Sequence, residues 1–355
     1  MHGAIMRSMH RKRHRYGVLL CALVALPAAV DAQAPAGEPP PRPFLRRVIQ
    51  LTDAQIAAMD NGEPVTKLLP SPEKAEIAAF GAIRLKGTVA ALREQMRDFQ
   101  SFRKVPQVPE IGRFSDPPRV EDLQGLTFPD DDIDALRKCR PGKCDVKIGT
   151  SGIEAFSALD WRAPDARARA TTLIKEKMAA YARAYAAGGT DAMGVTVDKT
   201  HPKALSAEFK TLLRNSPYLV EYVPAFNQYL ASYPRGTLPE TEDVLFWTKD
   251  TFGLKPVVSI YHATIHTPPG GPGVLVAVKT IYASHYFNAA LEVMAAVPAP
   301  DGPGGPSLYL LDLYRARIDP PTGMLSGVLM GKVKDGIEDG VALNLEAARR
   351  RVEGR

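Results

Sequence analysis

SLYLLDLYRARI (residues 307–318) and, shortly after it, MLSGVLMGKVKDGIEDGVALNLEAARRRVE (324–353) decide how the rest of the chain is read. The first is an apolar and aromatic run of strand length. The second carries Leu325, Val328, Leu329, Val333, Ile337, Val341 and Leu345 at helical spacing. It predicts a closing helix of about 30 residues, some 45 Å long at 1.5 Å per residue, with one buried face. Gly327, Gly331, Gly336 and Gly340 interrupt it, and each costs up to about 1 kcal/mol relative to Ala in a helix interior. Something must offset that cost. Either the glycines leave volume for a ligand, or they let the helix backbone approach the sheet closely.

Upstream of this pair lie DVLFWTKDTF, KPVVSIYHATIHT, GVLVAVKTIYA and HYFNAALEVMAAV, rich in β-branched and aromatic residues. TPPGGPG and PAPDGPGGP join neighbouring runs as loops suited to antiparallel connections. The expected register sets Ile265 opposite Val274, Ala263 opposite Val276, Tyr261 opposite Val278 and Val257 opposite Tyr282, an apolar ladder on one side. At the front, AEIAAFGAIRLKG predicts a strand leading into TVAALREQMRDFQSF, a helix with Val89, Leu92, Met96 and Phe99 on one face. Thr52 and Gln55 predict a capping box ahead of a short helix that stops at Asn61-Gly62. Residues 121–239 read as mostly helical, with a second capping box at Ser151 and Glu154. Pro164 opens a long helix ending at Ala187.

Arg7, Arg11, Lys12, Arg13 and Arg15 precede the apolar run VLLCALVALPAAV and a small-residue exit at Val30-Asp31-Ala32. That layout predicts a cleaved secretory signal over residues 1–32, a Pro-rich linker over 33–43 and a single domain over 44–355. The run is 13 residues long, against about 20 for a spanning helix, so no retained transmembrane anchor is expected. Cys21 follows Leu20 rather than a small residue, which disfavours lipid attachment. Removing this leader takes 45 Lys/Arg and 39 Asp/Glu to 40 and 38. No clustered positive excess for nucleic acid remains. In a periplasmic or secreted setting, CRPGKC (139–144) predicts a disulfide between Cys139 and Cys144 across a type II turn, with Pro at its second position and Gly at its third. Four-ligand zinc, C-x-x-C-H haem attachment and C-x-x-C exchange chemistry do not fit that spacing.

The order strand, helix, antiparallel strands and long closing helix resembles the START-like superfamily, the helix-grip fold of lipid-transfer and polyketide-cyclase-like proteins. Carrying the resemblance are AEIAAFGAIRLKG with TVAALREQMRDFQSF at the front and LYLLDLYRARI with the glycine-studded helix at the back. The resemblance implies an α+β fold in which a curved antiparallel sheet grips the last helix around a hydrophobic cavity. The helical block at 121–239 stands as an insertion in that pattern.

Candidate chemistry is sparse. Two of the histidines, His262 and His266, share a strand face but lie roughly 13 Å apart at about 3.3 Å per residue, too far for one zinc. No metal and no cofactor is expected. S-x-x-K at Ser71 to Lys74 lacks its companion motifs, and no G-x-S-x-G, H-E-x-x-H or phosphate loop occurs. Asp130 to Asp134 lack the glycine and terminal Glu of a calcium loop and suit a helix N-terminus. In IYASHYF (281–287), Tyr282, Ser284, His285 and Tyr286 supply donors and acceptors that would orient a ligand carbonyl or hydroxyl. Equally, they would cap strand ends with their polar tips in water. Tyr261 joins them on the neighbouring strand, and Arg315 would pair with an acidic head group or decorate a solvated edge. The expected function is a carrier or sensor of a hydrophobic small molecule or lipid. Two alternatives are a cyclase- or hydrolase-type enzyme with His285 as general base, and an envelope protein-interaction module.

Overall fold

The chain enters its sheet through a capped helix. Gln55 N donates to Thr52 Oγ1 (3.2 Å) and Thr52 N to Gln55 Oε1 (3.0 Å), the reciprocal pair expected from sequence. The computed structural model describes residues 40–354 except 252, 303, 322 and 325, and at 301 and 302 the backbone alone. The expected leader, the linker up to residue 39, and Leu325 lie outside the described residues.

A short helix α1 (Arg42–Phe44) runs on through a π-turn into α2 (Asp53–Asp60). Strands β1 (Val65–Leu69) and β2 (Glu76–Lys86) follow. The single helix expected from Thr88 onward is two, α3 (Val89–Arg97) and α4 (Phe99–Arg103). Asp98 breaks it by turning out of helical geometry and accepting from Ser101 N at 3.2 Å. After β3 (Glu110–Arg113), the helical block holds α5 (Asp130–Lys138), α6 (Thr150–Ser157) and α7 (Ala166–Gly188), a two-residue hairpin β4 (Val195–Thr196) and β5 (Lys203–Ala204), then α8 (Leu205–Arg214), α9 (Pro217–Tyr222) and α10 (Pro224–Ser232). Gly149, not Ser151, stands at the N-cap of α6, without a side-chain cap. Strands β6 (Thr241–Asp250), β7 (Val257–His266), β8 (Val274–Ala283), β9 (Phe287–Gly302) and β10 (Gly305–Ile318) lead to α11 (Ser326–Val352).

Eight strands form one sheet in the order β1-β2-β10-β9-β8-β7-β6-β3, antiparallel at every pair. The architecture is α+β, a large antiparallel sheet with a C-terminal helix. Side chains alternate between faces. Ile83, Leu85, Leu308 and Leu310 join α3, α4 and α11 on one face. Phe80, Ala82, Tyr309 and Leu311 join α7, α8 and α10 on the other. The expected register of β7 and β8 is corrected by two residues: Ile265 lies opposite Val276, Ala263 opposite Val278 and Tyr261 opposite Thr280. A slip of two keeps every side chain on its face, so the apolar pattern alone does not exclude it. An irregularity between Ile260 and Tyr261 then sets Tyr282 opposite Ile260.

The last helix packs on the sheet unevenly. Val341 and Leu345 are buried, and Val333 and Ile337 are half-buried over Ile77 and Ala316. Val328 and Leu329, expected on the buried face, are 61% and 42% exposed, while the adjoining Met330 takes the place over that cluster. None of Gly327, Gly331, Gly336 and Gly340 makes the close approach considered for them. A Cβ at any of them would meet nothing within 4 Å. The close-approach glycine is in the sheet. At Gly81 of β2 a Cβ would sit 2.4 Å from Val341 Cγ1 and 2.9 Å from Leu345 Cδ1. At the far end, Arg351 donates to the carbonyls of Ser101, Phe102 and Lys104, closing the C-terminus of α4.

Cys139 and Cys144 stand at disulfide distance, Cα–Cα 4.6 Å, across a turn whose Gly142 has φ +78°. With Ile133, Leu136 and Phe156 they form a separate small core for α5 and α6.

Two substitutions test the seating of α11. Gly81→Val is expected to lower the urea midpoint by the equivalent of about 1–3 kcal/mol, since no neighbour can retreat without lifting the helix. Gly331→Ala or Gly336→Ala is expected to raise stability by about 0.5–1 kcal/mol each, since the new methyl meets open space. An unchanged midpoint for Gly81→Val would show that α11 does not rest on β2.

Candidate functional site

Both faces of the sheet hold buried polar groups, and they differ in what satisfies them. Toward the helical block, Asp243 of β6 accepts from His262 Nε2 (2.8 Å), from Thr264 Oγ1 (2.8 Å) and from Tyr229 Oη. These bonds hold Asp243 below the usual carboxylate range against the opposing effect of burial. With Nε2 as the donor, His262 Nδ1 is free to accept from Tyr185 Oη of α7 at 2.9 Å. Burial outweighs Asp243 and lowers the imidazole, so His262 is neutral. Beside it, Lys279 of β8 donates to Thr190 Oγ1 (3.1 Å) and to the Leu230 carbonyl (3.4 Å), with its ammonium 4.0 Å from the Phe209 ring centroid. Burial pulls this amine down to about 7. His262 and Lys279 are 2% and 1% exposed. The group clasps α7 and α10 to the sheet, with His262 and Lys279 sealed beneath and Asp243 reaching solvent.

On the face that carries α3, α4 and α11, a second polar strip crosses the sheet diagonally. From β6 come Thr248 and Asp250, from β7 Ser259 and Tyr261, and from β8 Thr280; the two longest strands add Glu292 (β9) and Asp312 and Tyr314 (β10). Asp250 Oδ2 accepts from Thr248 Oγ1 (2.7 Å) and Tyr261 Oη (3.1 Å). Tyr261 also stacks on Phe246 at 4.9 Å. Burial outweighs those two bonds and pushes Asp250 up to about 6. Glu292 accepts from Arg103 Nη2 of α4 (2.6 Å) and from Asn344 Nδ2 of α11 (3.4 Å).

Asp312 is different. It is 1% exposed, and neither carboxylate oxygen has a hydrogen-bond partner among the described residues. Burial, then the charge of Glu292, pushes its carboxyl well above the usual range. A carboxyl so placed is satisfied when it keeps its proton and donates it to Glu292, its diagonal neighbour on the same face. Asp250, Tyr261 and Tyr314 are half-buried, so the strip runs from a rim that meets solvent to a sealed floor at Glu292 and Asp312.

Of the residues expected from sequence, only Tyr261 lies in this strip. Tyr282 points to the opposite face and donates to the Lys147 carbonyl (2.9 Å). Ser284 Oγ accepts from Val258 N (3.0 Å), and its carbonyl from Lys147 N (2.8 Å). His285 is buried with Nε2 3.0 Å from both oxygens of Asp132, in a contact that docks α5. Tyr286 has φ +58° and accepts from Lys255 N (3.1 Å). Arg315 is buried against Glu76, which also receives Asn215 Nδ2 at 2.7 Å. Together Tyr282, Ser284 and His285 form the seam that holds the disulfide-bearing segment to the sheet. Arg103, Asp250, Glu292, Asp312 and Tyr314 escaped the sequence reading. Glu292 in AALEVMAA and Asp312 in LYLLDLY gave a signal: one charge inside a strand that is apolar on both faces.

Two surface clefts, of about 370 and 330 Å³, lie by Glu110 and Trp247 and by Asn61 and Gly304, outside the strip. Among the described residues no group of three His, Cys, Asp or Glu side chains is placed to hold a metal, and no helix is long and apolar enough to cross a membrane. No protein-family model and no curated protein sequence matches the chain.

Each face has its own pH signature. The Asp250 carboxyl titrates near 6 in the fold, against about 3.9 in an unfolded chain. The unfolded state therefore sheds its proton first, and this residue's contribution to stability falls from about pH 4 to about pH 6. Asp250→Asn is expected to flatten that limb of a melting-temperature profile. For Lys279, at about 7 against about 10.4 unfolded, the unfolded state binds more protons between those values. Stability therefore rises with pH across that window. Lys279→Met is expected to remove the rise and to be more stable at pH 7 by on the order of 1–3 kcal/mol. A parent profile flat from pH 7 to 10 would contradict the desolvated ammonium.

Proposed function

We propose that the protein binds and carries an amphiphilic small molecule or lipid between the sheet and α11, as in a helix-grip fold working in a periplasmic or secreted setting. The observation that carries this reading is the contrast beneath one helix. A strip of hydroxyls and carboxyls, buried at Glu292 and Asp312 and half-buried at Tyr314, adjoins a small apolar cluster of Ile77, Ala290, Ala316 and Ile318, over which α11 lays the half-buried Met330, Val333 and Ile337. Polar head and apolar tail would each find a matching wall. The covering segment is also the weakest part of the helix, since its glycines lower helical propensity and gain no packing in return. Lifting one or two turns would open the cluster without disturbing Val341, Leu345 or the Arg351 clamp.

The test is mass spectrometry of a solvent extract of the protein purified from its host, followed by uptake of a fluorescent fatty amphiphile by the stripped protein. A reproducible bound molecule, and uptake reduced at least tenfold by Ala316→Trp with the circular dichroism unchanged, are expected. An empty extract together with no uptake would overturn the reading.

A further inference from the structure

The strip on the α11 face of the sheet is unbalanced in charge. Asp250, Glu292 and Asp312 supply three carboxyl groups, and Arg103 is the cation among them. Tyr261 and Tyr314 add neutral phenols, and Asn344, the α11 residue that reaches Glu292, is uncharged. Asp250 is satisfied by Thr248 and Tyr261, and Glu292 by Arg103 and Asn344. Asp312 alone is buried with both oxygens unpartnered among the described residues. A buried carboxylate needs a donor or a cation; the nearby Arg103 bonds Glu292 instead, which leaves Asp312 only that carboxylate to give its proton to. An anionic head group would meet three carboxyls and a guanidinium whose Nη2 is held by Glu292, with its buried Nε left without a partner among the described residues. A positive head group would meet the acid whose oxygens make no hydrogen bond among the described residues.

We propose that the strip takes the cationic head of an amphiphile, an alkylammonium, and that its seating exchanges for the proton on Asp312, which leaves to solvent. The proposal rests on the reading of α11 as the cover of an amphiphile site. The exchange balances: one positive charge arrives as one proton departs, and Arg103 stays paired throughout. Binding therefore tightens as pH rises, even for a head group that cannot itself titrate.

The experiment is isothermal titration calorimetry on the full chain, stripped of lipid. The probes are dodecyltrimethylammonium, dodecanol and dodecanoate below their micelle concentrations, at pH 5.5 and 7.5, each in two buffers of different ionisation enthalpy. The cation is expected to bind at least tenfold tighter than the alcohol, to gain affinity with pH and to release a proton to the buffer. Asp312→Asn, which keeps the side-chain shape, is expected to lose tenfold in affinity and all proton release. Because Asp250 titrates near 6, inside this window, Asp250→Asn is measured alongside and is expected to keep the proton release that Asp312→Asn abolishes. Equal or tighter binding of dodecanol or dodecanoate, or cation binding without proton release, would overturn the inference and leave the carrier reading standing. No binding of any of the three probes would remove both.

Discussion

A sheet covered on both faces has nowhere to send a side chain except into the interior, and this constraint governs the rest of the structure. Between α11 with α3 and α4 on one side and the helical block on the other, the inner strands bury nearly every residue. Polar side chains in those strands must then find partners. Most do so by binding a neighbouring layer. His262 and Asp243 hold Tyr185 and Tyr229, Glu76 holds Arg315 and Asn215, and Glu292 holds Arg103. The sheet is thus fastened to its two helical layers by the same groups that would otherwise destabilise it. Asp312 is where that pattern stops.

The two halves of α11 do different physical work. Its C-terminal half drops Val341 and Leu345 onto the bare backbone of Gly81 and anchors α4 through Arg351. Burying such aliphatic side chains contributes about 1.5–3 kcal/mol each. Its N-terminal half has four glycines in open surroundings and leaves Val328 and Leu329 in solvent. Local opening begins where buried apolar contact is least. One helix can therefore be a fixed strut at one end and a movable cover at the other.

Element types were readable along most of the chain because alternation and helical spacing act locally. Thr52 with Gln55, the β2 run and the strands from Thr241 to Ile318 follow from short-range pattern alone. Errors gathered where a nearby group competes with the pattern. Asp98 splits one expected helix in two, and Gly149 displaces Ser151 as a cap. The two-residue slip between β7 and β8 preserves facing, so only the packed sheet distinguishes it from the expected register. The polar strip was hidden for another reason. Arg103, Glu292 and Asp312 are remote in sequence, and what makes them a unit is their burial on one face.

By itself the sequence determined that a long antiparallel sheet would be followed by a glycine-weakened helix, and that Cys139 and Cys144 would close across a Pro-Gly turn. Those outcomes rest on residue spacing and local backbone preference. Only the tertiary structure decided that Gly81, and not the helix glycines, accommodates the close approach. It alone turned Tyr282, Ser284 and His285 into a docking seam and gave Asp312 no bonding partner but another carboxyl. Which face a residue occupies, and what stands above it, depends on layers brought together from distant parts of the chain, and solvation of a charge is set by those layers rather than by its neighbours in sequence.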